Sequence, residues 1–344
     1  MEKRVLIRRW LGPDSQAIPI YDEASVSTAR QRVRETGAQL NLGMELVESV
    51  ALIASELTHN QLAHARQGYL VVRPLEREGI KGLELTAADI GPGIAKPASA
   101  IQDQVTRTSG SLGAGLSAVC RIADEVEFDN RLAEGTCIVA RKFETAAAAA
   151  QEIAIMGKPY PGELISGDDA LYERFDDGFV TAVADGLGHG PEAREASNRA
   201  VDTIRANRGL SLEPLAAAIN DALIGTRGCA MSAMRFTRHD GMLEHFSAGD
   251  VQAHLYTLRT AHFFTSTPLV LGTGPLLRQR IRVEKTAVPG NAVLAVFTDG
   301  LKSQTSLKGQ LDVLRQPAIA IAQRMIEAYG RPDDDALVLV AKFR

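Results

Sequence analysis

Between residues 42 and 65 the apolar positions Val47, Val50, Ala54, Leu57, Leu62 and Ala65 recur close to every 3.6 residues, which predicts one amphipathic helix over Leu42–Ala65. Glu56, Asn60 and His64 fall at i, i+4 and i+8 beside that stripe, so they share one polar face. Strand-like runs follow at 68–73 and 82–88, the second leading directly into Asp89. A second helix is expected just after Gly113–Gly115, running to Ile122. The segments 124–130 and 136–143, joined by Ala133-Glu134-Gly135, read as a hairpin.

The second half follows a different pattern: its apolar strands stop at carboxylates. Gly178–Ala184 ends at Asp185-Gly186, Ala292–Phe297 ends just before Asp299-Gly300, and Asp333-Asp334-Asp335 precedes Ala336–Ala341. Helical periods fill 191–207, 212–223 and 317–329. Strands ending in acids, with helices between them, predict a sheet sandwich whose open edge gathers the acids. An alanine run at 146–150 marks the seam. It suggests a first domain over 1–143, a linker over 144–152 with the character of a short helical spacer, and a second domain over 153–344. No internal repeat is visible.

Composition narrows the classes. A chain of 344 residues with 45% hydrophobic and 23% charged residues can bury two cores. A net charge of −4 leaves no electrostatic footprint for nucleic acid. No apolar run approaches the ~20 residues that span a bilayer, so no membrane partner is expected. Met1–Trp10 lacks the apolar centre of a signal peptide. Cys120, Cys137 and Cys229 are odd in number and widely spaced, as buried reduced thiols would be. A cytoplasmic protein is the expectation.

Two constellations carry chemistry. In the first, Asn60 offers a hard oxygen for Mg²⁺, which keeps several of its own waters, and Glu56 lies one turn away to polarise an attacking hydroxyl. Asp89 at a strand end can accept a hydrogen bond from an adenine amino group. Gly91, Gly93, Gly110, Gly113 and Gly115 permit positive φ and close backbone approach to phosphates. Arg107 is the lone cation of the intervening lid, 102–109. Taken in order, Glu56-Leu-Thr-His-Asn60, Asp89-Ile-Gly-Pro-Gly93 and Gly110-Ser-Leu-Gly-Ala-Gly115 resemble the nucleotide boxes of the GHKL (Bergerat-fold) ATPases, with Gly135-Thr136 as the closing Gly-Thr box. With Arg121-Ile-Ala-Asp-Glu125, residues 1–143 most resemble the serine-protein kinases of the RsbT type. The resemblance implies an N-terminal Bergerat α/β sandwich that binds ATP with Mg²⁺. Asn60 would hold the ion, Glu56 would be the base, Asp89 would read adenine, Thr136 would join the nucleotide contacts, and Gly113 and Gly115 would frame the lid.

In the second constellation Asp168, Asp185, Asp299 and either Asp334 or Asp335 lie far apart in sequence at strand boundaries. Carboxylates select hard cations such as Mn²⁺ or Mg²⁺, and Gly186 could add its carbonyl. With Asp185-Gly-Leu-Gly-His-Gly190, residues 153–344 resemble the metal-dependent phosphatases of the type-2C and RsbX/sporulation-phosphatase class. That resemblance implies a C-terminal α-β-β-α sandwich with Asp168, Asp185, Gly186, Asp299 and Asp334 as ligands, Asp334 being favoured over Asp335 by register. His189 either assists the phosphate or caps a helix starting near Pro191. Ser247-Ala-Gly249-Asp250 departs from the Ala-Gly-His pattern of many relatives.

Together the resemblances imply a two-domain α/β (α+β) protein acting as a bifunctional partner-switching regulator of a bacterial stress or sigma-factor pathway. It would phosphorylate, and remove phosphate from, a serine or threonine on STAS-domain proteins, with a sigma factor or downstream phosphatase as a further partner. The alternative keeps the first domain as a non-catalytic ATP-binding anti-sigma module, leaving only the phosphatase active.

Overall fold

The computed structural model describes residues 2–12, 16–65, 67–102, 114–145, 151–175, 177–274 and 281–343. The chain divides after Ala154 into two units. The first contains α1 (Glu2–Leu11), β1 (Ile18–Ile20), α2 (Glu23–Gln39), α3 (Met44–Asn60), a π-helical turn (Gln61–Ala65), β2 (Gly68–Arg77), β3 (Ile80–Asp89), α4 (Pro97–Gln102), α5 (Ala114–Ile122), β4 (Glu125–Arg131) and β5 (Gly135–Phe143). The sheet runs β1-β2-β3-β5-β4 with every neighbour antiparallel.

Alternation along the strands sorts its two faces. Ala88 and Cys137 are cross-strand partners and pack under Ile7 and Leu11 of α1. Ala87 and Ile138, one residue on, look out of the opposite face and line a cavity with Leu57 and Asn60 of α3. The expected single helix over 42–65 is corrected here. Its α-helical part ends at Asn60, and residues 61–65 widen into π geometry. The cause lies in Gln61, which is buried and donates from Nε2 to the carbonyls of Tyr69 (3.0 Å) and Ala88 (3.2 Å). Turning this side chain onto β2 and β3 stretches the helix where a site residue sits, as π-bulges commonly do.

The second unit begins within β6 (Glu152–Lys158). It continues through β7 (Asp168–Phe175), β8 (Gly178–Gly186), α6 (Gly190–Ala206), α7 (Leu212–Leu223), β9 (Cys229–Thr237), β10 (Met242–Ala248), β11 (Gln252–Tyr256), β12 (Ala261–Phe263), β13 (Glu284–Ala287), β14 (Val293–Phe297), α8 (Leu311–Leu314), α9 (Ala318–Tyr329) and β15 (Ala336–Lys342). One sheet is ordered β13-β10-β9-β8-β7, the other β15-β14-β11-β12 with β6 beside β15. Ala196, Ala200, Val201 and Ile204 of α6 bury against Val180, Ala182 and Ala184 of β8, and the other helices of this layer pack likewise. The alternate residues of β8 face the second sheet, where the Phe179 and Phe343 rings lie 5.9 Å apart, and α9 covers β15 on the far side. The result is an α-β-β-α sandwich. Burying a Val, Leu, Ile or Phe of such a core is worth about 1.5–3 kcal/mol, which fixes the strand ends that carry the acids.

Candidate functional sites

In the first unit a cavity of about 420 Å³ is lined by Asn60, His64, Asp89, Gly93, Thr136 and apolar walls that include Leu57, Leu116 and Ile138. Strand register brings Asp89 opposite Thr136, so both point to the cavity face. Asp89 Oδ1 accepts the Gly91 N–H at 2.8 Å, and the Thr136 N–H also donates to this carboxylate. Burial nonetheless dominates and pushes its pKa from 3.8 up to about 6. A carboxylate whose charge is penalised by burial in this way gains from a ligand that brings an N–H of its own.

Of the described box glycines, Gly93 (φ +76°) and Gly135 (φ +147°) have positive φ, whereas Gly91 and Gly115 do not. Gly115 is needed for contact: a Cβ there would sit 2.8 Å from Glu56 Oε2 and 3.2 Å from Asn60 Oδ1. The start of α5 therefore rests on the Glu56–Asn60 pair. Asn60 Nδ2 is buried with no hydrogen-bond partner among the described residues. The unpartnered N–H₂ suits a phosphate oxygen as acceptor, and Oδ1 of the same amide, beside a carboxylate one turn back, would suit Mg²⁺. Gly110, Gly113 and Arg107 lie outside the described residues.

Sequence reasoning missed Asn130. Fully buried, it accepts from the Ile94 N–H (2.7 Å) and from Thr136 Oγ1 (3.2 Å), and it donates to the Ile94 carbonyl (2.9 Å). It thereby ties the Gly91–Ile94 loop to β5. Nothing in Phe128-Asp-Asn-Arg131 signals this, because the partner lies 36 residues away.

In the second unit the register of β7 and β8 sets Asp168 directly opposite Asp185, on the face turned to the other sheet. Asp299 follows β14 by two residues and Asp334 precedes β15 by two, at the same edge of the sandwich. These acids perturb one another. Burial, then the charges of Asp168 and Asp299 and a hydrogen bond with Asp299, push Asp185 up to about 10. Asp168 is raised well above the ordinary range by burial and by Asp335, against a Thr298 hydroxyl bond that pulls it down. Asp334 is raised by burial and by Asp299. Such a group of buried acids carries charge only if a cation offsets it, and hard oxygen donors suit a divalent one. Among the described residues, no three His, Cys, Asp or Glu side chains already surround a common point. Asp168, Asp185, Asp299, Asp334 and the Gly186 carbonyl are hard oxygen donors of the kind that would suit such an ion, with water completing its shell.

Asp335 has a different use. Its Oδ2 accepts the Gly167 N–H at 2.7 Å and its Oδ1 accepts the Tyr160 N–H. Both oxygens are occupied by backbone, whereas Asp334 is half-buried and feels the charge of Asp299. Two further residues were not foreseen. Thr298 donates to Asp168 Oδ2 (2.8 Å) while accepting the Leu337 N–H (3.0 Å), so one hydroxyl joins β7 to β15. Arg194, buried on α6, donates to the carbonyls of Ser166 and Asp168, both at 3.0 Å.

Gly186 follows Asp185 and Gly300 follows Asp299. Neither has positive φ; each instead allows a close crossing, of Ala193 O over Gly186 and of Asp335 O over Gly300. His189 occupies the N-cap of α6, yet its side chain makes no capping bond. It stacks on Tyr160 at 4.2 Å between centroids and meets Glu163 at 3.4 Å.

A family model described as the histidine kinase-like ATPase domain matches residues 21–142, and one described as stage II sporulation protein E matches residues 176–344. Serine/threonine-protein kinase RsbT of Bacillus subtilis (strain 168) is 34% identical over 130 residues, which is 38% of this chain and 97% of that protein. Two solved structures align with a TM-score of 0.51 each. One, described as "The bacterial stressosome: a modular system that has been adapted to control secondary messenger signaling", is 26% identical and covers 56% of this chain and 98% of its own. The other, RsbX in complex with magnesium, is 19% identical, covers 58% of this chain and 97% of its own, and shares the fold.

Proposed function

The chain belongs to the family of the serine/threonine-protein kinase RsbT and joins that kinase domain to a SpoIIE-type serine/threonine phosphatase domain; from this premise we propose that it sets, in the cytoplasm, the phosphorylation of STAS-domain partners in a stress-response switch. The lining of the first cavity, where Asn60, Asp89 and Thr136 meet, is the observation that carries the kinase half. In this reading Asp89 accepts the adenine amino group. Asn60 holds Mg²⁺ on the phosphates, and the loop stapled by Asn130 lies alongside. Glu56 orients the incoming hydroxyl and takes its proton, and most of the rate comes from positioning and electrostatics.

In the phosphatase half, Asp168, Asp185, the Gly186 carbonyl, Asp299 and Asp334 would hold Mn²⁺ or Mg²⁺. When bound, these ions supply water activation and a clamp on the phosphoryl oxygens. The protein's own contribution is the fixed edge. Thr298 and Arg194 set Asp168, and Asp335 pins the loop through Tyr160 and Gly167.

Incubation with labelled ATP, Mg²⁺ and a STAS protein from the same genome tests the proposal. Transfer to a serine or threonine that Asn60→Ala abolishes supports it, and release of that phosphate in Mn²⁺ should fail in Asp185→Ala. Sigma-factor capture without any transfer would sink the kinase half.

A further inference from the structure

Asp299 does not look into closed protein. It lines a cleft of about 680 Å³ whose other walls include Phe263, Phe264, Leu301, Asp250 and Arg331. Arg331 is the only Lys or Arg among the described lining residues. Its backbone is bonded into the acid turn, the N–H donating to the Gly300 carbonyl at 2.7 Å and its own carbonyl accepting from Lys158 Nζ. The side chain is exposed. Depth orders these groups. Asp168 is 2% exposed, Asp299 is half-buried at the cleft floor and Arg331 stands open at the rim.

A phosphorylated side chain must reach the floor to meet the acids and the ions they hold. The residues on either side of it cannot follow, and they leave the cleft past the rim. We infer that Arg331 is a specificity-determining residue that pairs with an acidic side chain flanking the phosphoserine or phosphothreonine of the partner segment. This rests on the phosphatase reading of the second unit. Charge complementarity at the rim supports it: Arg331 is the one Lys or Arg among the described lining residues and is opposite in sign to an acidic side chain that passes it, while the carboxylates Asp250 and Asp299 offer that side chain no competing partner. A guanidinium also suits the task, since its planar fork pairs with a carboxylate through two parallel hydrogen bonds. Phe263, 46% exposed, offers apolar surface for the same segment to cover.

The test uses the full chain with Mn²⁺ and two phosphoserine peptides of equal length, one flanked by glutamates and one by lysines. The wild type should show a KM about fivefold lower for the glutamate peptide, the size expected of a solvent-exposed to partly shielded ion pair. Arg331→Ala should erase that preference by raising KM for the glutamate peptide, with kcat changed less than about twofold. Arg331→Glu should invert the preference, and Arg331→Lys should keep most of it. No preference in the wild type overturns the inference. So does a loss of kcat on both peptides alike, which would mean that Arg331 serves the phosphoryl group or the acid cluster. Hydrolysis of neither peptide by the wild type would instead defeat the phosphatase reading. Fluorescence anisotropy with the same peptides and variants then still shows whether Arg331 sets the charge preference.

Discussion

Asp334 and Asp335 are adjacent and chemically identical, yet the fold gives them different surroundings. Asp335 is committed to two backbone N–H groups, so Asp335→Ala leaves buried donors without acceptors. Allowing for the burial cost of its charge, the loss should be about 2 kcal/mol, or a fall in Tm of about 5 °C in a unit of this size. Asp334 is half-buried and repelled by Asp299. Asp334→Ala should therefore change Tm little, while Mn²⁺-dependent phosphatase turnover drops by about 100-fold or more. Thermal melts and turnover on the same two variants decide the matter, and a reversed pattern would exchange the roles.

Asp89 offers a second residue-scale prediction with a definite sign. Its folded pKa of about 6 lies above the ordinary 3.8, so the folded state holds the proton more tightly than the unfolded state does. The stability from this group is fully present below pH 3.8 and is lost as pH rises through about 6; it amounts to about 3 kcal/mol. Adenine needs the opposite form, because its amino group donates to the carboxylate. Nucleotide affinity relative to Asp89→Asn should thus fall as pH drops below about 6, approaching tenfold per pH unit. Isothermal titration from pH 5 to 8 measures that ratio, in which protonation of the phosphates cancels. A ratio independent of pH would remove Asp89 from adenine recognition.

At the scale of elements, two glycines in one sheet separate strain from contact. Gly79 ends the turn between β2 and β3 at φ +79°, with nothing within 4 Å of a Cβ placed there. Gly79→Ala should cost only the left-handed conformation, about 1 kcal/mol, and leave nucleotide binding intact. Gly135 opens β5 at φ +147°, where a Cβ would lie 2.1 Å from the Asp89 carbonyl. Gly135→Ala forces β5 away from β3 at the residue the nucleotide would meet. It should lose nucleotide binding by about tenfold or more, with a stability cost of about 2–3 kcal/mol. Denaturant melts and nucleotide titration of the pair test this, and equal behaviour would mean that the strand junction is not part of the site.

The same scale shows what could be read in advance. The hairpin of β4 and β5 and the helices α5, α6, α7 and α9 follow from apolar period and turn residues. The sequence reading did not find α2, because its buried face is made of Ser25, Val26, Ala29, Val33, Thr36 and Gly37, too small and too polar to show a stripe. Nor was the π-turn visible, since the pull of Gln61 on β2 and β3 is a tertiary effect. The acids were legible because each stands at the end of an apolar run. Their pairing, and the supports Thr298, Arg194 and Asn130, depend on register and on residues distant in sequence.

For the whole molecule, the question is what opposed activities on one chain accomplish. Transfer converts ATP and a partner hydroxyl into ADP and a phosphoester, and hydrolysis returns the hydroxyl and inorganic phosphate. If both sites act on the same partner residue, the sum is ATP plus water to ADP plus phosphate, and the partner is consumed in neither direction. Partner-dependent ATP hydrolysis should then continue well past one equivalent of partner, with a steady phosphorylated fraction equal to the kinase share of the two rates. Asn60→Ala should stop the cycle with the partner unphosphorylated. Asp185→Ala should stop it after one equivalent, with the partner fully phosphorylated. Mixing the two variants should restore continuous hydrolysis, because the partner can diffuse between an intact kinase site and an intact phosphatase site. Measuring ADP and phosphopartner together follows all four cases. A burst of one equivalent in the wild type, with no further turnover when Mn²⁺ is supplied, would mean that the two halves serve different phosphosites and that the switch is set by partner identity rather than by cycling.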